Sequence, residues 1–440
     1  MKMEVIFYLY RNVLEPFLRF GLRFLRPLLP QKIQQIVKLK DGLLLRISAM
    51  SFKGAPFWIH ASSGEIEYAK PVLRELRKQF PEIPILVTFS SPSAIPILQN
   101  ILEIDFFCIL PWDTANQVAS FLEKIQPRAL LIARTDVWPE LMEQVTQRKI
   151  PSLLFSATLA KKSSRIRGLT GLLSRRGFHQ LNEIYCVSRE DLEVFKRLDP
   201  ALPVTVTGDT RFEQVLDRLA HPRELKQSLK PSSPKNVFIA GSTWPEDDQV
   251  LVKVLLLNPE LNCILAPHEV EGSSLKSLEA LLRKNNLSYV RYSESDHWVL
   301  METRVLLIDQ VGILADLYSW GSVAFVGGSF REKVHSVMEP LAAGKPVILG
   351  PYFENNREAQ EFSLIRFQVK GAPQVAALMF SLVSRVLNVR QFDDRIKQIL
   401  SISEASTRDL SSLIHREVKN RVGATPSVID WIKFQENRWA

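Results

Sequence analysis

Two α/β domains in tandem, each a parallel sheet with helices on both faces, are what the sequence predicts, and three observations predict them. Short apolar runs of strand length alternate with helical spacings in two successive series. A composition break lies between them at His221 to Pro234, HPRELKQSLKPSSP, where Pro-Ser-Ser-Pro reads as a hinge or linker. The 440 residues also exceed what one small core needs and fit two domains of ordinary size.

The totals narrow the class. Hydrophobic residues are 46% and charged residues 23%, so the chain folds rather than staying disordered. A net charge of +9, from 56 basic and 47 acidic side chains, favours anionic partners such as phosphates, nucleic acid or a lipid headgroup surface. Cys108, Cys186 and Cys263 lie far apart in or beside apolar runs, which reads as buried thiols in a reducing compartment. No CxxC, HExxH or other metal spacing occurs among the seven histidines, and no Walker-type loop is present.

Taken in order, the chain begins with VIFYLYRNVLEPFLRFGLRFLRPLLP. Arg11, Glu15, Arg19, Arg23 and Arg26 recur at helical spacing beside Phe, Leu and Val, which predicts an amphipathic helix over residues 1–30 lying flat on a membrane. Charges break the apolar stretch into runs too short to span, Pro16 splits or kinks the helix, and no cleavable signal is expected. The competing reading is a helix that covers the first domain's own core.

The first domain, residues 31–220, has strand-like runs at Phe57 to His60, Ile85 to Phe89, Phe106 to Leu110, Ala129 to Ala133, Ser152 to Phe155, Ile184 to Val187 and Val204 to Thr207. Between them Ala69, Val72, Leu73 and Leu76 share one helical face, as do Val118, Phe121 and Leu122. This is a Rossmann-like pattern. After the linker at 221–234, the second domain, residues 235–410, repeats it at Val237 to Ala240, Cys263 to Ala266, Ser288 to Arg291, Val305 to Ile308, Val323 to Val326 and Val347 to Leu349. Residues from about 373 onward look helical, with 411–440 a terminal helical segment in which Val428, Trp431 and Ile432 offer an apolar face. Two such domains normally place a ligand in a cleft between the carboxyl ends of their strands.

Strand ends therefore matter most. The stretch FVGGSFREKVHSVMEPLAAGKPVILGP, Phe325 to Pro351, reads as strand, Gly-Gly turn, helix and strand. Gly327 and Gly328 let the backbone approach a ligand, and the helix N-terminus offers N–H groups to an anion. Ser329 adds a hydroxyl, His335 lies where the chain enters the helix, and Glu339 is suited to accept from ribose hydroxyls. A tight turn with a solvated Glu and a surface His is the plainer alternative. In the first domain Glu65, after His60-Ala61-Ser62-Ser63-Gly64, stands at a strand's carboxyl end and can take a proton from an attacking hydroxyl. It also suits a helix N-terminus. Asp136, in Ala133-Arg134-Thr135-Asp136-Val137-Trp138-Pro139, ends the fourth strand and reads equally as a helix cap. Arg211 follows the first domain's last strand, Ser242 and Thr243 follow the second domain's first, and Pro267-His268-Glu269 ends the next. Their hydroxyls, N–H groups and cation can bind a phosphate or carboxylate, while a surface loop accounts equally well for His268.

Together, the HxSxGE-like loop, Asp-Val-Trp-Pro, Thr-Gly-Asp-Thr-Arg-Phe, Gly-Ser-Thr-Trp-Pro-Glu-Asp, Ala-Pro-His-Glu and Gly-Gly-Ser…His…Glu-Pro…Gly-Pro stand in the order seen in bacterial 3-deoxy-D-manno-octulosonic acid (Kdo) transferases. The resemblance covers nearly the whole chain. It implies the GT-B glycosyltransferase fold, two Rossmann-like domains facing a cleft with a membrane-associated N-terminal helix on the cytoplasmic face of the bacterial inner membrane. It further implies inverting transfer of Kdo from CMP-Kdo to the lipid A precursor (lipid IVA) in lipopolysaccharide synthesis, with no metal, cofactor or nucleic acid. By resemblance Glu65 matches the general base, and Arg134, Asp136, His60 and Ser63 fall on the catalytic or acceptor side. Arg211, Ser242, Thr243, His268, Gly328, Ser329, His335, Glu339 and Asn355 fall on the donor side.

The chain also departs from that pattern. The loop from His60 to Gly64 is one residue shorter than in most members, and Arg134 and Asp136 stand where many carry two glutamates. Arg211 replaces a usual Lys, and His268 follows Pro267 where many have Arg. The alternatives are another GT-B transferase or a sugar-nucleotide epimerase, which needs no membrane helix, and a non-catalytic lipid or sugar-nucleotide binding protein, which tolerates Glu65→Ala.

Overall fold

The computed structural model describes residues 2–48, 50–161, 163–270, 272–300, 302–368 and 379–437. The chain divides into two compact units, one made of Met1–Gln214 and Arg421–Ala440, the other of Val215–Asn420.

Unit 1 is built on seven strands: β1 (Phe57–His60), β2 (Ile85–Phe89), β3 (Phe106–Ile109), β4 (Ala129–Ala133), β5 (Ser152–Ala157), β6 (Glu183–Cys186) and β7 (Val204–Val206). They pair in parallel in the order β3-β2-β1-β4-β5-β6-β7. Every residue of β1, β2, β4 and β5 is buried, because helices cover both faces, and this is why these strands read as unbroken apolar runs. Strand order reverses between β1 and β4, so their following loops diverge and leave a crevice. The core takes in Val428, Ile429, Trp431 and Ile432 of the helix Ala424–Glu436, and Glu436 pairs with Arg128 at 2.7 Å.

Unit 2 carries β8 (Val237–Thr243), β9 (Asn262–Pro267), β10 (Tyr289–Arg291), β11 (Val305–Leu307), β12 (Val323–Val326) and β13 (Val347–Leu349), followed by β14 (Arg366–Gln368), β15 (Met379–Ser381) and β16 (Val383–Arg385). Its seven-stranded parallel sheet has the order β10-β11-β9-β8-β12-β13-β16, with the switch between β8 and β12. The antiparallel pair β14-β15 stands apart.

The run from about 373 was expected to be helical, and here the structure corrects the reading. Residues 379–385 form β15 and β16, while the helices are Val389–Leu400, Glu404–Lys419 and Ala424–Glu436. A three-residue strand is too short to show a period of two, and pairing with β13 decides its state. Residues 373–378 and 438–440 of that run lie outside the described ones. The stretch 221–234 packs on unit 2: Leu225 and Leu229 are buried, and the Lys226 N–H donates to Tyr292 Oη at 2.9 Å.

The N-terminus is helical from residue 2 to 24, but residues Tyr10–Leu14 form a π-helical turn just before Pro16. Proline supplies no N–H to the turn behind it, so a local change of hydrogen-bond register is the expected response. Phe17, Phe20, Phe24 and Leu28 are 73%, 67%, 74% and 82% exposed, whereas Phe7 and Glu15 are buried. Two arginines of the expected lipid-facing stripe are engaged within unit 1, Arg11 with Glu140 at 3.1 Å and Arg23 with Asp41 at 2.6 Å. No described helix is long and apolar enough to cross a membrane.

Candidate active site

At the switch point of the first sheet, β1 ends in His60 and β4 runs on to Arg134 and Asp136. His60 is fully buried. Trp58 Nε1–H donates to Thr88 Oγ1 at 2.9 Å, and Thr88 Oγ1 lies 2.9 Å from His60 Nδ1. The Thr88 carbonyl oxygen also lies 3.1 Å from Nδ1, and the His60 Nε2–H donates to Asp136 Oδ2 at 3.0 Å. Ser90 Oγ donates to the same oxygen at 2.8 Å. Burial opposes ionisation of Asp136, yet the His60 hydrogen bond and charge, the Ser90 hydroxyl and Arg165 outweigh it and hold the carboxyl well below its usual range.

Glu65 closes the single 3-10 turn Ser63–Glu65 that leads into the helix Ile66–Gln79. Its Oε2 accepts the Ser62 N–H at 3.1 Å, a capping box that aims the side chain, and among the described residues Oε1 accepts no hydrogen bond. Burial raises its pKa, the Asp136 charge adds to that, and His60, the Ser62 N–H and Arg134 oppose it. Two neighbouring carboxyls are thus pushed apart: Asp136 is a poor proton acceptor and Glu65 a better one. Ser63 sits in the same turn, half-buried.

Arg134 has a left-handed backbone, φ +70°, and its guanidinium lies 4.6 Å from the Tyr68 ring centroid and 3.9 Å from Asp209. Arg211, expected beside the donor residues, also stands in unit 1, where Nη1 donates to Tyr68 Oη at 3.3 Å.

At the switch point of the second sheet, β8 ends in a bulge with Ser242 at φ +54°, and β12 runs into Gly327 and Gly328. A Cβ on Gly327 would clash with the Ser242 backbone, and one on Gly328 with the Lys333 carbonyl, so the glycines serve close packing of the loops against each other. Asp247 ties them together. Its Oδ2 accepts from Gly328 N at 2.7 Å and Trp244 N at 2.9 Å, and Oδ1 from Phe330 N at 3.4 Å. Ser329 is fully buried, and its hydroxyl accepts from Gly350 N at 2.7 Å, which holds the loop to β13. Thr243 is buried as well.

Above the loop, three rings stack: Trp244 and His268 at 4.6 Å, His268 and His335 at 4.3 Å. Trp244 Nε1–H donates to His335 Nε2 at 2.9 Å, and Arg331 lies 4.3 Å from the Trp244 ring. Burial, then His268 and Lys333, lower His335 to about 4, so the ring is neutral at pH 7 with its proton on Nδ1. A cavity of about 270 Å³ opens here, lined by Arg218, Ser242, Tyr318, His335, Ser336 and Glu339. Arg218 is tethered to Gly312 O at 2.7 Å and Asp316 at 3.1 Å. Asn355 is exposed, and its neighbour Asn356 makes the tie to this site, donating to His335 O at 2.9 Å. A second cavity, of about 290 Å³, lies at the opposite, amino-terminal ends of β8, β12 and β13 and contains none of these groups.

Sequence reasoning missed Thr88, Ser90, Tyr68, Asp247, Arg218 and Asn356. Asp247 had a readable signal, an acid three residues after Trp244 at a helix start. Ser90 follows β2 as Glu65 follows β1, and the strand-end rule applied to it too.

Two parallel sheets, each with polar groups gathered at its switch point, define the GT-B fold. UDP-GlcNAc 2-epimerase from Neisseria meningitidis, bound to UDP-GlcNAc, matches with a TM-score of 0.57 at 13% identity over 86% of this chain and 99% of that one. MurG from Acinetobacter baumannii matches with 0.50 at 12% identity, over 86% and 99%. These are likenesses of fold alone. Residues 31–214 match the family model of 3-deoxy-D-manno-octulosonic-acid transferase (kdotransferase). The 3-deoxy-D-manno-octulosonic acid transferase of Aquifex aeolicus is 30% identical over 350 residues, covering 77% of this chain and 88% of that protein. The same-named enzyme of Haemophilus influenzae is 26% identical over 355 residues, covering 77% and 81%. The chain belongs to the Kdo transferase family.

Proposed function

We propose that this enzyme transfers Kdo from CMP-Kdo to the lipid A precursor, lipid IVA, with inversion and without a metal, on the cytoplasmic face of the inner membrane. The observation that carries the reading, within the family, is Glu65: a carboxyl at the switch point of unit 1 with raised proton affinity beside an ionised Asp136. A hydroxyl of the acceptor attacks the anomeric carbon of Kdo and passes its proton to Glu65. The bond to the CMP phosphate breaks, and CMP leaves with that electron pair. Unit 2 binds the nucleotide through the cavity of Ser242, His335 and Glu339, with the His335 Nδ1–H donating to the phosphate and Glu339 accepting from ribose hydroxyls.

The acceptor is a lipid, and the exposed Phe17, Phe20, Phe24 and Leu28 supply the attachment. Each such side chain contributes roughly 1.5–3 kcal/mol when fully buried, so the apolar face is sufficient without arginine contacts to headgroups. The test is purified protein with CMP-Kdo and lipid A precursor, products resolved by mass spectrometry, with EDTA present in a parallel reaction. One or more Kdo units added with or without EDTA is the expected result. No transfer, or transfer abolished by EDTA, overturns the corresponding part.

A further inference from the structure

The amphipathic helix does more than present an apolar face. Its π turn places two residues on the inward side, and both reach the start of the helix that follows the Asp136 loop, Tyr10 through Asp113 and Arg11 through Glu140. Tyr10 Oη donates to Asp113 Oδ2 at 2.7 Å. Asp113 is buried and is the N-terminal cap of the helix Pro139–Gln147, accepting from Glu140 N at 3.0 Å and Leu141 N at 2.8 Å. Arg11 Nε pairs with Glu140, whose side chain is fully buried, at 3.1 Å. That helix begins three residues after Asp136, with only Val137 and Trp138 between. A second strut runs in parallel: Arg23 pairs with Asp41, Asp41 accepts from Trp112 Nε1 at 3.2 Å, and Lys40 Nζ lies 4.9 Å from the Trp112 ring and 5.8 Å from the Trp138 ring.

We propose that Tyr10 and Arg11 are positioning residues for the acceptor-side site, so that the helix seated on the lipid surface also sets the Asp136 loop. The inference rests on the functional reading above for what the loop does. Burial disfavours the Asp113 carboxylate and raises its pKa, and the Tyr10 hydroxyl with the two helix N–H groups opposes that in part. Removing the hydroxyl weakens the cap, frees the first turn of the helix and moves Asp136 relative to His60. The exposed apolar face is untouched by either substitution, which separates positioning from attachment.

The experiment uses full-length Tyr10→Phe and Arg11→Met, with Tyr8→Phe as control because Tyr8 is 65% exposed on the same helix. Amide hydrogen exchange is followed in the segment containing Glu140 and Leu141, without vesicles. Exchange there should speed at least about tenfold, the scale of one lost hydrogen bond to a charged group. With CMP-Kdo and lipid A precursor, kcat should fall by a similar factor while KM for CMP-Kdo stays unchanged, and Arg11→Lys should recover part of the loss. Because the Asp136 charge raises Glu65 while His60 and Arg134 lower it, displacing Asp136 should move the acid limb of kcat to lower pH. Co-sedimentation with anionic vesicles should match wild type for all variants. Wild-type exchange and wild-type kcat in Tyr10→Phe and Arg11→Met would overturn the proposal. So would a uniform loss of thermal stability with no change in the acid limb. Failure of wild type to bind vesicles or transfer Kdo would instead sink the functional reading, and the exchange measurement would still decide the positioning.

Discussion

At the switch point of the first sheet the strand ends carry Glu65, Asp136 and a buried imidazole; at that of the second they carry Ser242, two glycines and a stack of three rings. The topological place is the same, but the materials differ. Unit 1 separates two carboxyls by giving Asp136 hydrogen-bond donors and denying them to Glu65 Oε1. Unit 2 spends its buried carboxylate, Asp247, on the backbone of the glycine loop and keeps His335 uncharged. A proton acceptor needs a tuned charge, whereas an anionic leaving group needs fixed donors that cost no reorganisation when charge develops. On the proposed function, one fold element repeated along the chain is filled once for each task.

The strongest way to break this contrast is Glu65→Gln, which should cut turnover about a hundred- to ten-thousandfold while leaving CMP affinity near wild type by calorimetry. Asp136→Asn should do less, since its low proton affinity makes it a partner rather than an acceptor. Near-normal turnover in Glu65→Gln with loss in Asp136→Asn would reverse the roles. For the wild type, activity should rise with pH through the raised Glu65 value, placing the acid limb above where an ordinary glutamate would put it.

On the unit 2 side, Asp247→Ala removes the acceptor shared by three loop N–H groups. A loss of about 2–3 kcal/mol is expected, read as a lower urea midpoint and weakened CMP binding. Unchanged CMP affinity would show that the loop does not shape the donor site.

Asp248 sharpens the contrast by sign. Burial pushes it up to about 7; Thr243 opposes this, and the Asp247 and Glu246 charges add to it. A folded value above the unfolded one means its contribution is fully present below about pH 4 and is lost as pH rises through 7. Asp248→Asn should therefore raise stability at pH 8 by up to about 4 kcal/mol, and by progressively less as pH falls toward 4, by urea unfolding. A destabilised variant at pH 8 would mean that the carboxylate is needed ionised. The smallest effect is expected for Trp244→Phe, which keeps the stack and removes the donor to His335 Nε2. CMP should bind about three- to tenfold more weakly, and equal affinity would make the ring stack a packing feature only.

How much of this was legible follows from the distances along the chain. The strands could be read because parallel strands covered on both faces are continuous apolar runs, and Glu65 and His335 because each lies in the segment that leaves such a run for the next helix. The groups that tune them could not: Thr88 and Asp136 reach His60 from 28 and 76 residues away, a juxtaposition that only sheet order creates. Gly328 and Ser329 were read as facing a ligand, and the structure engages both with the loop itself, since a turn that tight satisfies its own backbone first. The arginine stripe was visible, yet its direction was set by a π turn, by the buried Glu140 and by the exposed Asp41, which no periodicity reveals.

The return of the chain to unit 1 has a consequence for how the protein is made. Val428, Trp431 and Ile432 complete the core around the first sheet, but a ribosome must finish residues 215–420 before it reaches them. Nascent unit 1 therefore waits with an uncovered apolar patch, the condition under which partly folded chains aggregate or recruit chaperones. Unit 2 is drawn from one contiguous segment and can close as soon as that segment has emerged. The order of completion is inverted relative to the order of synthesis, and a nonsense codon just before residue 424 would strike the unit at the opposite end of the message.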